Sequence, residues 1–171
     1  AWGGRAVKHT FRPPSAMPSA EEMKDRLAQI QKKNPEMTLD EVRESYGRDY
    51  RAVLSEVRKV LENIEAYVPD YNEADGYELA GFIWFQGFND MVGGGNPEYT
   101  EQLAHFIRDM RRDLKKPELP FVIGELGTGG ENANEGMATF RNQQRAVAGI
   151  AEFKGNVAFA PTAHLYPVEP N

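Results

Sequence analysis

Three short apolar runs, separated by longer segments with helical spacing, constrain this chain more than any other feature of its sequence. The runs lie at residues 80–85, 121–124 and 157–160. Each is too short for a typical helix and is continuously apolar, which is typical of a strand buried on both faces of a parallel sheet. The sequence therefore predicts three core strands that alternate with helices.

The helical segments carry clear start signals. Ser19 with Glu22, and Thr38 with Glu41, have the spacing of capping boxes. They predict one helix to about residue 33 and a second to about residue 66, with a break plausible at Gly47. Apolar spacing predicts two further helices, at about 98–114 and 136–153. The resulting order, α, β, α, β, α, β, predicts an α/β layer fold with a parallel sheet and right-handed crossovers.

Charge and residue usage exclude several classes of function. The chain has 171 residues, which suits a single domain, and its formal net charge of −6 disfavours nucleic-acid and anionic-membrane partners. The basic residues at 108–116 fit a solvated helix face. The chain contains no cysteine, which rules out thiolate nucleophiles, and no histidine pair has metal-ligand spacing, so no metal or cofactor is predicted. The sequence contains no apolar run long enough to span a membrane.

Candidate chemistry lies where the predicted strands end, because ligands of open parallel sheets bind beyond the carboxyl ends of the strands. Polar, glycine-rich segments occur there, at residues 3–5, 86–90 and 125–128. Asn and Gln amides in such loops can donate hydrogen bonds to a developing oxyanion. Asn89 and Asp90 fit a turn or a helix cap equally well. The glycines at 127–130 lack the Gly-Lys-Ser/Thr ending of a phosphate loop.

The histidines and loop serines give weaker signals. His164 follows a strand and is the one histidine placed as a catalytic base could be, whereas His9 and His105 fit structural roles. Ser19 is explained as a helix cap. Neither Ser15 nor Ser19 lies in a Gly-x-Ser-x-Gly turn.

Residues 84–90 read Trp-Phe-Gln-Gly-Phe-Asn-Asp. This segment resembles the Trp-His-Gln-Gly-Glu-x-Asp segment of sialate O-acetylesterases and related acetylxylan esterases. Residues 76–82, 1–4, 11–15, 121–125 and the Phe-Arg-x-x-Gln segment at 140–144 also resemble that family, most closely its planctomycete-like members. The resemblance covers most of the chain, with residues 16–45 as an extra helical insertion.

The resemblance implies a flavodoxin-like, three-layer SGNH hydrolase fold, incomplete in this chain, and removal of acetyl groups from sugar hydroxyls through a serine acyl-enzyme. It implies an oxyanion hole with a backbone donor at Gly4, with Gly3 as the alternative. The second donor is a side-chain amide, for which Gln86 and Asn89 both stay open. Substrate-binding positions are expected at four residues, namely Gly3, Arg5, Asp90 and Glu125. By analogy, the protein is expected to be exported and to act on acetylated carbohydrate.

Two departures from the family pattern leave a second interpretation open. The Gly-Gln-Ser-Asn block that holds the family's nucleophile is missing from residues 1–171, and the family's late catalytic histidine is expected beyond residue 171. We therefore expect these segments to come from the same polypeptide or from another chain. The alternative is a non-catalytic glycan-binding or scaffold module on the same fold. Phe88 also replaces a common glutamate of the family.

Overall fold

A computed structural model describes residues 4–92 and 95–166 of the chain. Six α-helices and three strands make up its regular structure. The helices are α1 (Ala20–Gln31), α2 (Leu39–Ser45), α3 (Arg48–Glu62), α4 (Phe88–Met91), α5 (Tyr99–Asp113) and α6 (Glu135–Ala148). The strands are β1 (Phe82–Trp84), β2 (Phe121–Gly124) and β3 (Val157–Ala160). Short 3-10 turns lie at Pro14–Ala16, Ile64–Ala66, Gly130–Asn132, Ala151–Phe153 and Ala163–Leu165.

The sheet is parallel, with the strand order β1-β2-β3. This confirms the predicted α/β class with a parallel sheet. The three predicted strands, at residues 80–85, 121–124 and 157–160, are all present, and so are the helices between them. The last predicted helix is shorter than expected, because α6 ends at Ala148 and a 3-10 turn follows.

Both predicted capping boxes form, and each begins a helix. Ser19 and Glu22 exchange hydrogen bonds at the start of α1, and Thr38 and Glu41 do so at the start of α2. The long second helix breaks at Gly47, which has a left-handed φ of 65°. A Cβ atom there would lie 2.7 Å from the carbonyl oxygen of Arg12, so glycine is required at this position.

One prediction about the sheet was wrong. The strands are not buried on both faces, since Ile83 is 78% exposed and Val122 is 37% exposed. These residues are paired in register, and Val122 pairs in turn with the exposed Ala158. Their sequence neighbours face the core instead, where Trp84 and Ile123 are buried in the main hydrophobic cluster. In the part of the chain that the structure describes, helices therefore cover one sheet face and leave the other bare.

The core forms between the covered sheet face and α3, α5 and α6. Phe106 of α5 lies at its centre, in edge or tilted contact with Tyr50, Phe82 and Trp84. Aromatic pairs of this geometry stabilise a core by about 0.5–1.5 kcal/mol beyond their burial. α1 and α2 contact each other, with Met23 and Val42 buried. That residues 16–45 are an insertion stays a prediction.

Candidate functional site

The loops that follow β1 and β2 are held together by one buried side chain. Gln144 of α6 is fully buried, and its Oε1 accepts the backbone N–H of Leu126 at 2.9 Å. Its Nε2 donates to the carbonyl oxygens of Gln86 and Gly124, each at 3.3 Å. Gln144 therefore fixes the spacing of these two loops at the carboxyl edge of the sheet.

Arg141, on the same face of α6, binds the loop after β2. Its guanidinium donates to the carbonyl oxygens of Leu126, Thr128 and Gly130 at 2.7–3.0 Å. The Phe-Arg-x-x-Gln segment thus acts as a loop clamp, a role that our sequence reasoning did not assign. The i, i+3 spacing of Arg141 and Gln144 was the available signal, because such residues share one helix face.

Asp90 is the centre of the site's hydrogen bonding. The residue is fully buried, and its Oδ2 accepts the backbone N–H of Val7 at 2.7 Å and the amide of Gln86 at 3.0 Å. Its Oδ1 accepts the backbone N–H of Lys8 at 3.1 Å and the amide of Asn96 at 2.9 Å. These four donors offset the cost of burying the charge. They also attach the N-terminal segment to the loop after β1.

A cavity of about 420 Å³ lies where these two segments meet. Its lining residues come from the N-terminal segment, from α1, from the α2–α3 junction and from α4. They are Gly4, Ala6, Lys8, His9, Arg26, Tyr46 and Asn89. We refer to it as the Gly4–Asn89 cavity. It brings together two of the residues predicted for the oxyanion hole, from positions 85 residues apart in sequence.

The two candidate amides have different surroundings. Gln86 donates through its Nε2 to the carbonyl oxygen of Arg5 at 2.8 Å, as well as to Asp90, and it does not line the cavity. Asn89 is half-buried and lines the cavity. Within the described residues its side chain makes no hydrogen bond. The Gln86 amide is therefore engaged in holding the N-terminal segment, whereas Asn89 lines the cavity and its amide has no hydrogen-bond partner among the described residues.

The remaining predicted substrate-binding residues have internal partners or lie elsewhere. Arg5 forms an ion pair with Asp49 at 2.8 Å. The buried Glu125 accepts the backbone N–H groups of Thr162 and Ala163, each at 2.9 Å, and does not line the Gly4–Asn89 cavity. Gly3 lies outside the described residues. Substrate roles for Arg5, Asp90 and Glu125 stay predictions, and the contacts shown here are structural.

The histidines differ in their access to the cavity. The exposed His164 lies in the turn that Glu125 holds and does not line the cavity. His9 does line it, and its Nε2 lies 2.9 Å from the hydroxyl of Ser45. That hydroxyl donates to the carbonyl oxygen of Val42, so the His9 ring must donate to it rather than act as its base. Burial, followed by the nearby charges of Arg26 and Arg48, lowers the pKa of His9.

A larger cavity, of about 650 Å³, lies between the loop before α5 and the first turns of α6. Its lining includes Met91, Asn96, Thr139 and Gln143, and it shares no lining residue with the Gly4–Asn89 cavity. Size alone does not identify a reaction site, and this cavity contains none of the predicted donor amides. The chemistry of the lining therefore favours the smaller cavity.

Across residues 4–92 and 95–166, no group of three or more His, Asp or Glu side chains is arranged to hold a metal ion. Over the same ranges, no helix combines the length and the apolar character needed to cross a bilayer.

The fold and the site together define an α/β protein with a cavity, lined by Gly4 and Asn89, near one edge of a parallel sheet. A model of the family described as "carbohydrate esterase, sialic acid-specific acetylesterase" matches residues 38–164. Because this range is well over half of the chain, the chain belongs to that carbohydrate esterase family. Neither a curated protein nor a solved structure matches the chain significantly. The matched range begins after α1, so Gly4, Arg5 and the whole of α1 lie outside it.

Proposed function

We propose that this protein takes part in hydrolysing O-acetyl esters on sugars, and that its Gly4–Asn89 cavity binds the reacting acetyl group. The observation that carries the proposal is the shared cavity of Gly4 and Asn89, next to the loop that resembles the family motif. Membership of a carbohydrate esterase family supports a sugar ester as the substrate.

In this proposal, the backbone N–H of Gly4 and the side-chain amide of Asn89 donate to the acetyl carbonyl oxygen. When a nucleophile attacks the carbonyl carbon, this oxygen gains negative charge, and hydrogen bonds to it strengthen in the transition state. One such donor contributes about 3–4 kcal/mol of transition-state stabilisation. The left-handed φ of Gly4, 77°, is a conformation that glycine adopts without strain.

Asp90 acts as a positioning residue in this proposal rather than as a substrate ligand. Its two carboxylate oxygens accept four hydrogen bonds from the protein. Two of these bonds come from backbone N–H groups in the segment that carries Gly4. Asp90 also immediately follows Asn89 in α4. It therefore fixes the backbone donor and the amide donor relative to each other, which is the preorganisation that an oxyanion hole needs.

A serine acyl-enzyme, as the family resemblance implies, would complete the mechanism. The four serines of the sequence are Ser15, Ser19, Ser45 and Ser55, and none of them lines the Gly4–Asn89 cavity. This observation favours a second candidate function, a non-catalytic module that binds acetylated glycans in the same cavity. By analogy with the family, we also propose that the protein is exported, which cell fractionation would test.

Acetate release from O-acetylated sugars tests the proposal, using the polypeptide that the intact gene encodes, with its mass and termini determined. An esterase should release acetate and should form an adduct 42 Da heavier when an activated acetyl ester is trapped by acid quenching. The matched control is a neutral sugar carrying an N-acetyl amide, which the same site should leave intact. Binding of acetylated sugar without acetate release would support the module and overturn the esterase.

A further inference from the structure

Among the residues that the structure describes, His9 is the one histidine that lines the Gly4–Asn89 cavity. Its Nε2 lies 2.9 Å from the hydroxyl of Ser45, and that hydroxyl donates at 2.7 Å to the carbonyl oxygen of Val42. Because the single hydroxyl hydrogen of Ser45 is used in this way, Nε2 must carry the hydrogen of the neutral imidazole ring. The lone pair that can accept a proton therefore lies on Nδ1.

Nδ1 of His9 is open to water. Within the described part of the chain it has no hydrogen-bond partner. In the same part of the chain, the fully buried side-chain atoms that lack a partner are Oδ2 of Asp49 and Oε1 of Gln86, and Nδ1 of His9 is not among them. Solvent therefore reaches Nδ1. A histidine with one ring nitrogen held by the protein and the other open to water is arranged as a general base.

Two further contacts hold His9 in place. The ring of Tyr46 meets the imidazole edge to face, with 4.7 Å between the ring centroids and 89° between the ring planes. The carbonyl oxygen of His9 accepts the backbone N–H of Gly47 at 3.0 Å, which attaches its backbone to the start of α3. A base that is already oriented needs little reorganisation when the proton moves.

The charged groups around His9 keep its ring neutral and still allow it to take a proton. Burial is the first cause that lowers the pKa of His9 from its ordinary value of 6.5, and the positive charges of Arg26 on α1 and Arg48 on α3 follow. The carboxylate of Asp49, also on α3, acts in the opposite direction, because it stabilises the protonated ring. Lys8 lines the same cavity. His9 is therefore mainly neutral near pH 7, which is the form that a general base needs.

We propose that His9 is the general base that activates water when the acetyl-enzyme is hydrolysed. This inference rests on the proposed function, in which Gly4 and Asn89 bind the acetyl carbonyl oxygen. In this step, Nδ1 of His9 takes a proton from water while the water oxygen bonds to the carbonyl carbon. The bond from that carbon to the serine oxygen then breaks, and the serine oxygen receives the proton from His9 as acetic acid is released.

The size of the cavity suits this step. Its volume of about 420 Å³ has room for an acetyl group and a water molecule, whose share of liquid volume is about 30 Å³. His9 lies before residue 38, where the matched family range begins, so its role is assigned from its own contacts.

Trapping of the acetyl-enzyme tests this role, using the polypeptide that the intact gene encodes. With an activated acetyl ester, His9→Gln should still form the acetyl adduct but should release acetate about 100-fold more slowly than wild type. The adduct should therefore persist in the variant, and its formation shows that the variant is folded. His105→Gln is the matched control, because His105 lies on α5 and does not line the cavity, so its turnover should equal that of wild type.

Chemical rescue and the pH profile distinguish a base from a structural residue. Imidazole added to His9→Ala should restore part of the acetate release, because it can replace the missing base, and it should not alter the rate of His105→Ala. In wild type, hydrolysis of the acetyl-enzyme should slow as the pH falls through the pKa of His9, since the protonated ring has no lone pair. This step should be missing from the profile of His9→Gln.

The tautomer of His9 is measurable without any substrate. Nitrogen NMR of isotope-labelled protein should show that Nε2 carries the hydrogen and Nδ1 does not. The opposite tautomer would overturn the inference, because Nδ1 would then have no lone pair for the proton of water.

The kinetic outcomes separate this inference from the proposed function. Acetate release by His9→Gln at the wild-type rate, or an equal slowing in His105→Gln, would overturn the role of His9 while the esterase stands. A wild-type protein that releases no acetate would overturn the esterase, and the role of His9 with it.

Discussion

The carboxylate of Asp90 accepts the backbone N–H of Val7 at 2.7 Å, across 83 residues of sequence. Replacing Asp90 with Asn would turn one of its acceptor oxygens into a donor that faces other donors. Because the residue is fully buried, the mismatch cannot be relieved by water. We expect Asp90→Asn to lower the free energy of unfolding by about 2–4 kcal/mol, measured by urea denaturation.

The control for this prediction is Asp25→Asn, which makes the same chemical change on the exposed side of α1. It should change the free energy of unfolding by less than about 0.5 kcal/mol. Similar losses in the two variants would show that Asp90 does not hold the N-terminal segment.

The contrast between Asn89 and Gln86 gives a second prediction. Asn89→Ala removes an amide that faces the cavity, so kcat for acetate release should fall about 100- to 1,000-fold with little change in stability. Gln86→Ala breaks hydrogen bonds to Arg5 and Asp90, so it should lower the unfolding free energy by about 1–3 kcal/mol. Parallel kinetics and thermal denaturation of both variants measure this split. The reverse pattern would assign the donor to Gln86.

Gly87 is predicted to tolerate no side chain. A Cβ atom there would lie 2.5 Å from Cε1 of Phe140, a core residue that is almost fully buried. We expect Gly87→Ala to lower the free energy of unfolding by about 1–3 kcal/mol, because the core is overpacked. The double variant with Phe140→Leu should recover part of the loss in urea denaturation.

Gly136→Ala is the matched control for Gly87. Its added Cβ would come no closer than 3.4 Å to Oδ1 of Asn134, in the first turn of α6. Since alanine favours helices, this variant should be neutral or slightly stabilising. An equal loss of unfolding free energy in Gly87→Ala and Gly136→Ala would mean that the replacement of glycine itself, rather than the contact with Phe140, is responsible.

His9 predicts a pH dependence of stability. Its pKa in the folded protein is lowered, so the unfolded chain binds the proton more tightly. The contribution of neutral His9 to stability is therefore fully present above the unfolded pKa of about 6.5 and is lost as the pH falls through the folded pKa. Urea denaturation from pH 7.5 to 5 should show wild type losing more stability than His9→Gln. Parallel curves would contradict the prediction.

The bare sheet face gives a fifth prediction, made for the chain of residues 1–171. Ile83→Lys introduces a charge at a position where the side chain is 78% exposed. The free energy of unfolding of this variant should differ from that of the wild type by less than about 1 kcal/mol. Ile123→Lys buries an unpaired charge in the core and should unfold the chain. Circular dichroism and denaturation distinguish them. A large loss in Ile83→Lys would show that this face is covered in solution.

Local signals in the sequence were reliable where one residue decides the geometry. The capping boxes at Ser19 and Thr38 begin helices as expected, because a cap depends on groups only three residues apart. Gly47 separates α2 from α3 because of its left-handed φ and the close approach of Arg12. The three apolar runs form strands because their length and composition suit a sheet.

The sequence by itself thus determined the order of helices and strands, the α/β class and the short list of residues at the carboxyl edge of the sheet. Tertiary structure decided which sheet face is covered, because a continuous apolar run has no alternation that marks its exposed side. It also decided that the Gln86 amide binds Arg5 and Asp90 while Asn89 faces the cavity with Gly4. Such roles depend on partners far away in sequence, which only the folded chain brings within hydrogen-bonding distance.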